Sequence, residues 1–147
     1  MVELDDLVLS DSPAILREIE ARWPEPALWP ADPARRAEVD TFVDWFNLVW
    51  KAAPNALADD GPHAAHSAKL RASLARFEAL LDGRDFLLGD TLGIADVVAF
   101  PFLKYAASIE PDDPDPFHHI LAEQLALGDG YERLGGWIAR CDALPRA

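Results

Sequence analysis

Four prolines crowd one ten-residue stretch, at Pro24, Pro26, Pro30 and Pro33. Each fixes its φ at about −65° and has no N–H to give, so residues 24–33 can be neither the interior of a helix nor a central strand. Leu28 and Trp29 lie among them and give the stretch apolar surface to bury. It therefore reads as an ordered linker, and it divides the chain into a short head and a long body.

The head opens with two apolar runs, Val2 to Leu4 and Leu7 to Leu9, with Asp5-Asp6 between them. This spacing predicts a small β-hairpin, although Asp-Asp is a weaker turn than Asn-Gly. Ser12-Pro13 follows. Serine is a preferred N-cap and proline is favoured at the first helical position. A helix is expected over residues 13–22, with Ile15, Leu16 and Ile19 on one face and Pro24 as its stop.

The body reads as helices throughout. One begins near Pro33 or Ala34 and carries Val39, Phe42, Val43, Trp45, Phe46, Leu48, Val49 and Trp50. These cover far more than one stripe, so the helix is expected to be buried on two sides. Pro54 and Asp59-Asp60-Gly61-Pro62 mark its end. Leu70, Leu74, Phe77 and Leu81, with Leu80 beside them, keep helical spacing up to Asp82-Gly83. A further helix starts at Ile94. Gly93 is its N-cap, and Asp96 at the third position can accept the cap's N–H. Leu92 and Val97 can close a hydrophobic staple. Pro101 lies inside this helix and is expected to kink it. Residues 110–116 form an acidic, proline-rich loop. Helices over about 117–126 and from the Gly128-Asp129-Gly130 turn to the end complete the chain. The fold class is mainly α.

Several functions are disfavoured by composition. The 26 acids against 13 bases give a net charge of −13, which opposes broad electrostatic binding of nucleic acid or anionic membrane. No apolar run approaches the roughly 20 residues that cross a bilayer. The N-terminus is acidic and lacks the basic and apolar regions of a secretory signal, so a cytoplasmic location is expected. Cys141 is the only cysteine, which rules out an intrachain disulfide, and no histidine lies close in sequence to activate it. His63 and His66 are three apart and His118-His119 are adjacent, but neither pair has a third ligand at convincing spacing. No metal is expected.

Several stretches, in order, resemble the glutathione transferase superfamily. Asp11-Ser12-Pro13-Ala14-Ile15 is similar to its Glu/Asp-Ser-x-Ala-Ile motif. Leu28 to Ala37 is similar to its interdomain linker and the helix that follows. Phe86-Leu87-Leu88-Gly89-Asp90 with Ile94-Ala95-Asp96 resembles its core helix and capping box. Tyr131-Glu132-Arg133-Leu134 with Trp137 resembles its final helix. The resemblance implies that residues 1–23 are the last ββα segment of a thioredoxin-like glutathione-binding domain. Residues 24–33 are then the linker, and residues 34–147 the all-helical C-terminal domain.

There are two departures from the pattern. Gly93 stands where the family usually has serine or threonine, which removes the side-chain half of the capping box. The family's first βαβ unit, which carries the Tyr, Ser or Cys that contacts the glutathione sulfur, has no counterpart here. No residue of this chain is therefore assigned that catalytic role.

What the resemblance implies about function follows from the residues that do match. Glutathione, the co-substrate, would place its γ-glutamyl carboxylate at the N-terminus of the 13–22 helix, where free N–H groups and positive partial charge suit an anion. Ser12 would add a hydroxyl donor, and Asp11 would pair with the ammonium. A hydrophobic electrophile would lie against the helix beginning near Ala34, with Phe42, Trp45, Phe46, Trp50 and Tyr105 as candidate lining. The complete enzyme would conjugate glutathione thiolate to that electrophile in detoxification, as a homodimer. This chain alone is expected not to catalyse. The alternative is a non-catalytic interaction domain of the same ancestry.

Overall fold

The computed structural model describes residues 2–4 and 7–145. Strands β1 (Val2–Leu4) and β2 (Leu7–Leu9) pair antiparallel, with Val2 opposite Leu9, Glu3 opposite Val8 and Leu4 opposite Leu7. The Asp5-Asp6 turn lies outside the described residues. A two-stranded hairpin is marginal in water by itself, and β2 leads directly into helix α1 (Ser12–Arg22).

The cap of α1 differs from the expectation. Asp11 holds the N-cap position, and its carboxylate accepts the Ala14 N–H at 3.3 Å. Ser12 is instead the first helical residue. Asp and Ser are about equally good caps, and proline fits anywhere in a first turn that needs no donor. The sequence alone therefore left a one-residue ambiguity.

Glu20, near the end of α1, holds the linker in place. Its carboxylate accepts the backbone N–H groups of Leu28 and Trp29, each at 3.1 Å. Trp29 is 4% exposed, and its indole N–H reaches Asp40 Oδ1 at 3.0 Å. Leu28 C=O accepts the Ile94 N–H at 3.0 Å. The linker is thus fixed at both backbone polarities, to the helix before it and to a helix far along the chain.

Helix α2 (Pro33–Trp45) is capped by Asp32, whose Oδ1 accepts the Arg35 N–H at 2.9 Å. It does not run on to Pro54 as one α-helix. Residues Phe46–Trp50 form a π-helical turn in which the Lys51 N–H reaches back five residues to Phe46 C=O at 3.1 Å. Helix α3 (Ala52–Asp60) then begins, and Pro54 sits in its first turn, where no N–H is required. Pro54 is a helix-start residue here. The stop falls at Gly61, whose φ of 84° lies in the left-handed region that suits glycine.

Helix α4 (Ala64–Leu80) buries Leu70, Leu74 and Phe77, with Leu81 at its end, as the spacing predicts. Gly83 has a φ of 68° but falls two residues beyond the Leu81 cap. Helix α5 (Ile94–Leu103) passes through Pro101 and tightens into a 3-10 turn at Lys104–Ala106. Helices α6 (Pro116–Leu125) and α7 (Glu132–Asp142) complete the bundle. Helix α4 packs against α3, α6 and α7, and α5 packs against α2, α6 and α7. No helix among the described residues is long and apolar enough to cross a membrane.

Two features organise the core. One is an aromatic cluster: Phe46 is fully buried, stacks on Trp50 with centroids 4.6 Å apart, and meets Phe77 and Phe102 edge-on at 6.3 and 5.7 Å. The Trp50 indole N–H donates to Ser73 Oγ at 2.9 Å, and that hydroxyl donates to Leu70 C=O at 2.6 Å. The other is Asp96. Its Oδ2 accepts the Gly93 N–H at 2.9 Å. Its Oδ1 accepts the Leu87 N–H at 2.9 Å and the Trp137 indole N–H at 2.8 Å. The expected cap is therefore present, but it also ties the loop before α5 to α7. Burial pushes the Asp96 carboxyl above its ordinary pKa, while these donors pull it back.

Because Gly93 has extended backbone (φ −135°) and an added Cβ would meet Leu28 C=O at 3.4 Å, a side chain fits there. Gly93→Ser is expected to raise stability by a few tenths of a kcal/mol by restoring the missing hydroxyl acceptor. Thermal unfolding reads this directly, and a lower Tm would show that contact with Leu28 outweighs the new cap.

Candidate functional site

The N-terminus of α1 presents Asp11 and Ser12 side by side, both exposed. Since Asp11 does the capping, the Ser12 hydroxyl makes no hydrogen bond among the described residues, and Pro13 is buried beneath it. This leaves a hydroxyl, a carboxylate and the free end of a helix in one place. The set suits a ligand that carries a carboxylate and an ammonium on adjacent atoms.

Arg17 of α1 reaches Asp40 of α2 at 3.4 Å and Asp44 at 3.7 Å. These pairs are largely exposed and add little stability. Lys51 lies further along the same helical run. Its Nζ donates to Asn47 Oδ1 at 3.1 Å and sits 4.6 Å from the Phe102 ring centroid and 5.9 Å from that of Phe46. Burial lowers the Lys51 pKa, and the negative charge of Asp11 acts to raise it. Asp11 acts on Lys51 through its charge alone, with no ion pair between them among the described residues. Sequence reasoning missed Lys51. It is 40 positions from Asp11, and only the π turn and the packing of α1 bring it near.

Four of the five aromatic candidates form one cluster. Phe42 lies 5.8 Å from Trp45 and 6.1 Å from Phe46, and Phe46 stacks on Trp50. Phe42, Phe46 and Trp50 are buried, and Trp45 is partly exposed. Phe42 and Trp45 line an open groove of about 550 Å³ between α2 and α4, with Leu80 and Leu88. Tyr105 is not part of this cluster and lines a different cavity, against α7.

Other candidates have structural partners. Cys141 is buried, and burial, with Asp96 adding to it, pushes its thiol up to about 12. It is no thiolate at neutral pH. His118 Nδ1 pairs with Asp113 Oδ2 at 2.8 Å, and His119 Nε2 pairs with Asp113 C=O at 2.7 Å. No group of three or more His, Cys, Asp or Glu among the described residues is arranged to hold a metal ion. Glu78 was also missed by sequence reasoning. From α4 it accepts the N–H groups of Arg133 and Leu134 at 3.2 and 2.9 Å and so caps α7 from outside. Its spacing, 55 and 56 positions away, gives no local signal.

Residues 8–140 match the family described as glutathione S-transferase, C-terminal domain. The chain is 32% identical to glutathione S-transferase GstB of Escherichia coli, in strain K12 and in strain O6:H1, over 67% of this chain and 52% of GstB. It is 33% identical to FtsZ-localized protein A of Caulobacter vibrioides, over 67% of this chain and 50% of that protein. The alignments thus take in about half the length of the curated relatives. The matched residues run from within β2 through α1, the proline-rich stretch and the buried-aspartate helix α5 into α7. The chain belongs to the glutathione S-transferase C-terminal domain family.

Proposed function

We propose that this chain forms part of a glutathione transferase, in which Asp11 and Ser12 hold the γ-glutamyl end of glutathione and the body supports a hydrophobic electrophile. The observation that carries the reading is the Ser12 hydroxyl at the start of α1, without a hydrogen bond among the described residues, beside an exposed carboxylate. The match to GstB supports the reaction class. In the complete protein the glutathione thiol would be deprotonated and would attack the electrophile. The sulfur-contacting group would come from outside the residues assigned here. The aromatic cluster of Phe42, Trp45, Phe46 and Trp50 would back the hydrophobic side, with Trp45 its partly exposed member. Tyr105 stands apart from it. In this reading residues 1–23 belong to the glutathione-binding domain, 24–33 are the linker and 34–147 the helical domain.

Titration calorimetry with glutathione tests the reading. The chain is expected to bind weakly, with S-methylglutathione binding as well as glutathione because the sulfur is not gripped. Ser12→Ala and Asp11→Asn should each weaken binding by about tenfold, the loss of one charge-assisted hydrogen bond. Binding that both variants leave unchanged would remove the assignment.

A second copy of the chain is the protein partner of this reading. Leu48 and Val49 are 72% and 61% exposed on the π turn, close in sequence to Trp45, which lines the open apolar groove between α2 and α4. Sedimentation equilibrium is expected to show a dimer that Val49→Asp dissociates. A monomer up to high micromolar concentration would exclude this surface.

The match to FtsZ-localized protein A favours a second reading, in which the domain serves association without catalysis. Absence of any glutathione binding by the chain, with folding intact, would support that reading over the first.

A further inference from the structure

Helix α4 differs in charge from the rest of the chain. The protein carries 26 acids against 13 bases, yet α4 has Lys69, Arg71 and Arg76 against one acid, Glu78. Glu78 is taken up by α7, where it accepts backbone N–H groups and meets Arg133. The three cations are exposed and form no ion pair among the described residues. Lys69 and Arg76 are seven residues apart, so they share one face of α4 at about 10.5 Å along its axis.

That face borders an apolar groove of about 270 Å³ between α4 and the π turn. Trp45, Val49, Trp50 and Ala53 make one side of it, and Leu70 lies on the other. Lys69 and Arg76 also line it, and no carboxylate is among its lining residues. The polar groups beneath it satisfy one another, since the Trp50 indole donates to the Ser73 hydroxyl and that hydroxyl to Leu70 C=O. What the groove offers an occupant is therefore apolar surface and positive charge. Trp45 and Arg76 line the larger groove between α2 and α4 as well, so the two form one strip.

A net charge of −13 repels extended polyanions, so nucleic acid and anionic membrane are poor occupants. A short acidic segment is different. Charges beyond about 8 Å are largely screened at physiological salt, so the local pair of cations decides. A groove between two helices suits an amphipathic helix. Such a helix carries apolar anchors at i, i+3, i+4 and i+7, and it can set carboxylates seven residues apart, the spacing of Lys69 and Arg76.

We propose that this groove is a docking site for an acidic amphipathic helix of a partner protein. Its anchors would lie on Trp45, Val49 and Trp50, and its carboxylates would pair with Lys69 and Arg76. The assignment uses nothing of the glutathione site and holds under either reading of the function. A second copy of the chain at Leu48 and Val49 would cover part of the same face, so the two occupants compete.

The test is an amide NMR titration of the whole chain with a synthetic helical peptide of about 18 residues. It carries leucine anchors at that spacing and two glutamates seven residues apart beside them. Two control peptides replace both glutamates by glutamine or by lysine. The glutamate peptide is expected to shift amides over residues 45–53 and 69–76 to saturation, at least about tenfold more tightly than either control. The double variant Lys69→Glu with Arg76→Glu should invert the order and prefer the lysine peptide by about tenfold. Both positions are exposed, so chemical shifts elsewhere should stay unchanged. The inversion separates recognition of charge from apolar adhesion alone. Equal binding of the glutamine peptide, no inversion, or shifts centred elsewhere would overturn the proposal. So would a dimer of the chain that excludes the peptide even in excess, which would assign this face to the second copy.

Discussion

Asp96→Ala is expected to lose about 3–5 kcal/mol of folding stability. Three buried or half-buried donors, the Gly93 and Leu87 N–H groups and the Trp137 indole, would lose their acceptor together. Each unsatisfied donor costs about 1–3 kcal/mol, offset in part because a charge no longer has to be buried. Domains of this size have about 5–15 kcal/mol in total, so the variant should lie near the edge of folding. Urea unfolding should show a lower midpoint with an unchanged slope. Asp96→Asn keeps an acceptor for two donors and sets an amide N–H against the third, so its loss should be smaller. A loss below about 1 kcal/mol for the alanine variant would mean that water replaces the carboxylate, and that the loop, α5 and α7 are not held through it.

Phe46→Ala should be comparably damaging, at about 3–5 kcal/mol. The ring is fully buried and touches Phe42, Trp45, Trp50, Phe77 and Phe102. Those neighbours come from α2, the π turn, α4 and α5, so the resulting cavity is walled by several elements and cannot collapse by moving one. Phe46→Leu keeps most of the volume and should lose less. Intrinsic fluorescence can report on the site as well as on stability, because Trp50 stacks directly on the deleted ring. An alanine variant within about 1 kcal/mol of the parent would show a core able to close over the gap.

The parts of the fold legible in the sequence were those carried by local spacing. The Leu70, Leu74, Phe77 and Leu81 stripe faces the core, and Gly93 and Asp96 occupy the cap and third positions of α5. The π turn was hidden because the segment around it is apolar on nearly every side, and a pattern without a polar face cannot report a change of helical pitch. Glu20, Glu78 and Ser73 were illegible for another reason. Their partners are backbone groups or an indole at distances in sequence that only packing determines. The candidate site was half legible. Asp11 and Ser12 are adjacent and could be paired on inspection, although the cap expected at Ser12 falls at Asp11. Lys51 and the isolation of Tyr105 from the other aromatics emerged only in three dimensions.

The π turn has a further consequence, for tolerance to deletion. Such a turn absorbs one residue more than an α-helical turn, so removing a single residue from Phe46–Trp50 would leave an uninterrupted α-helix with everything after it at nearly its present azimuth. Inserting one further residue would instead rotate everything after it by about 100° relative to α2. Packing on α5 sets the azimuth of α2, and contacts with α4 and α6 set that of α3, so both settings survive the deletion but not the insertion. The expected cost of a deletion is that of the side chain lost, small at exposed Leu48 or Val49 and large at buried Phe46 or Trp50.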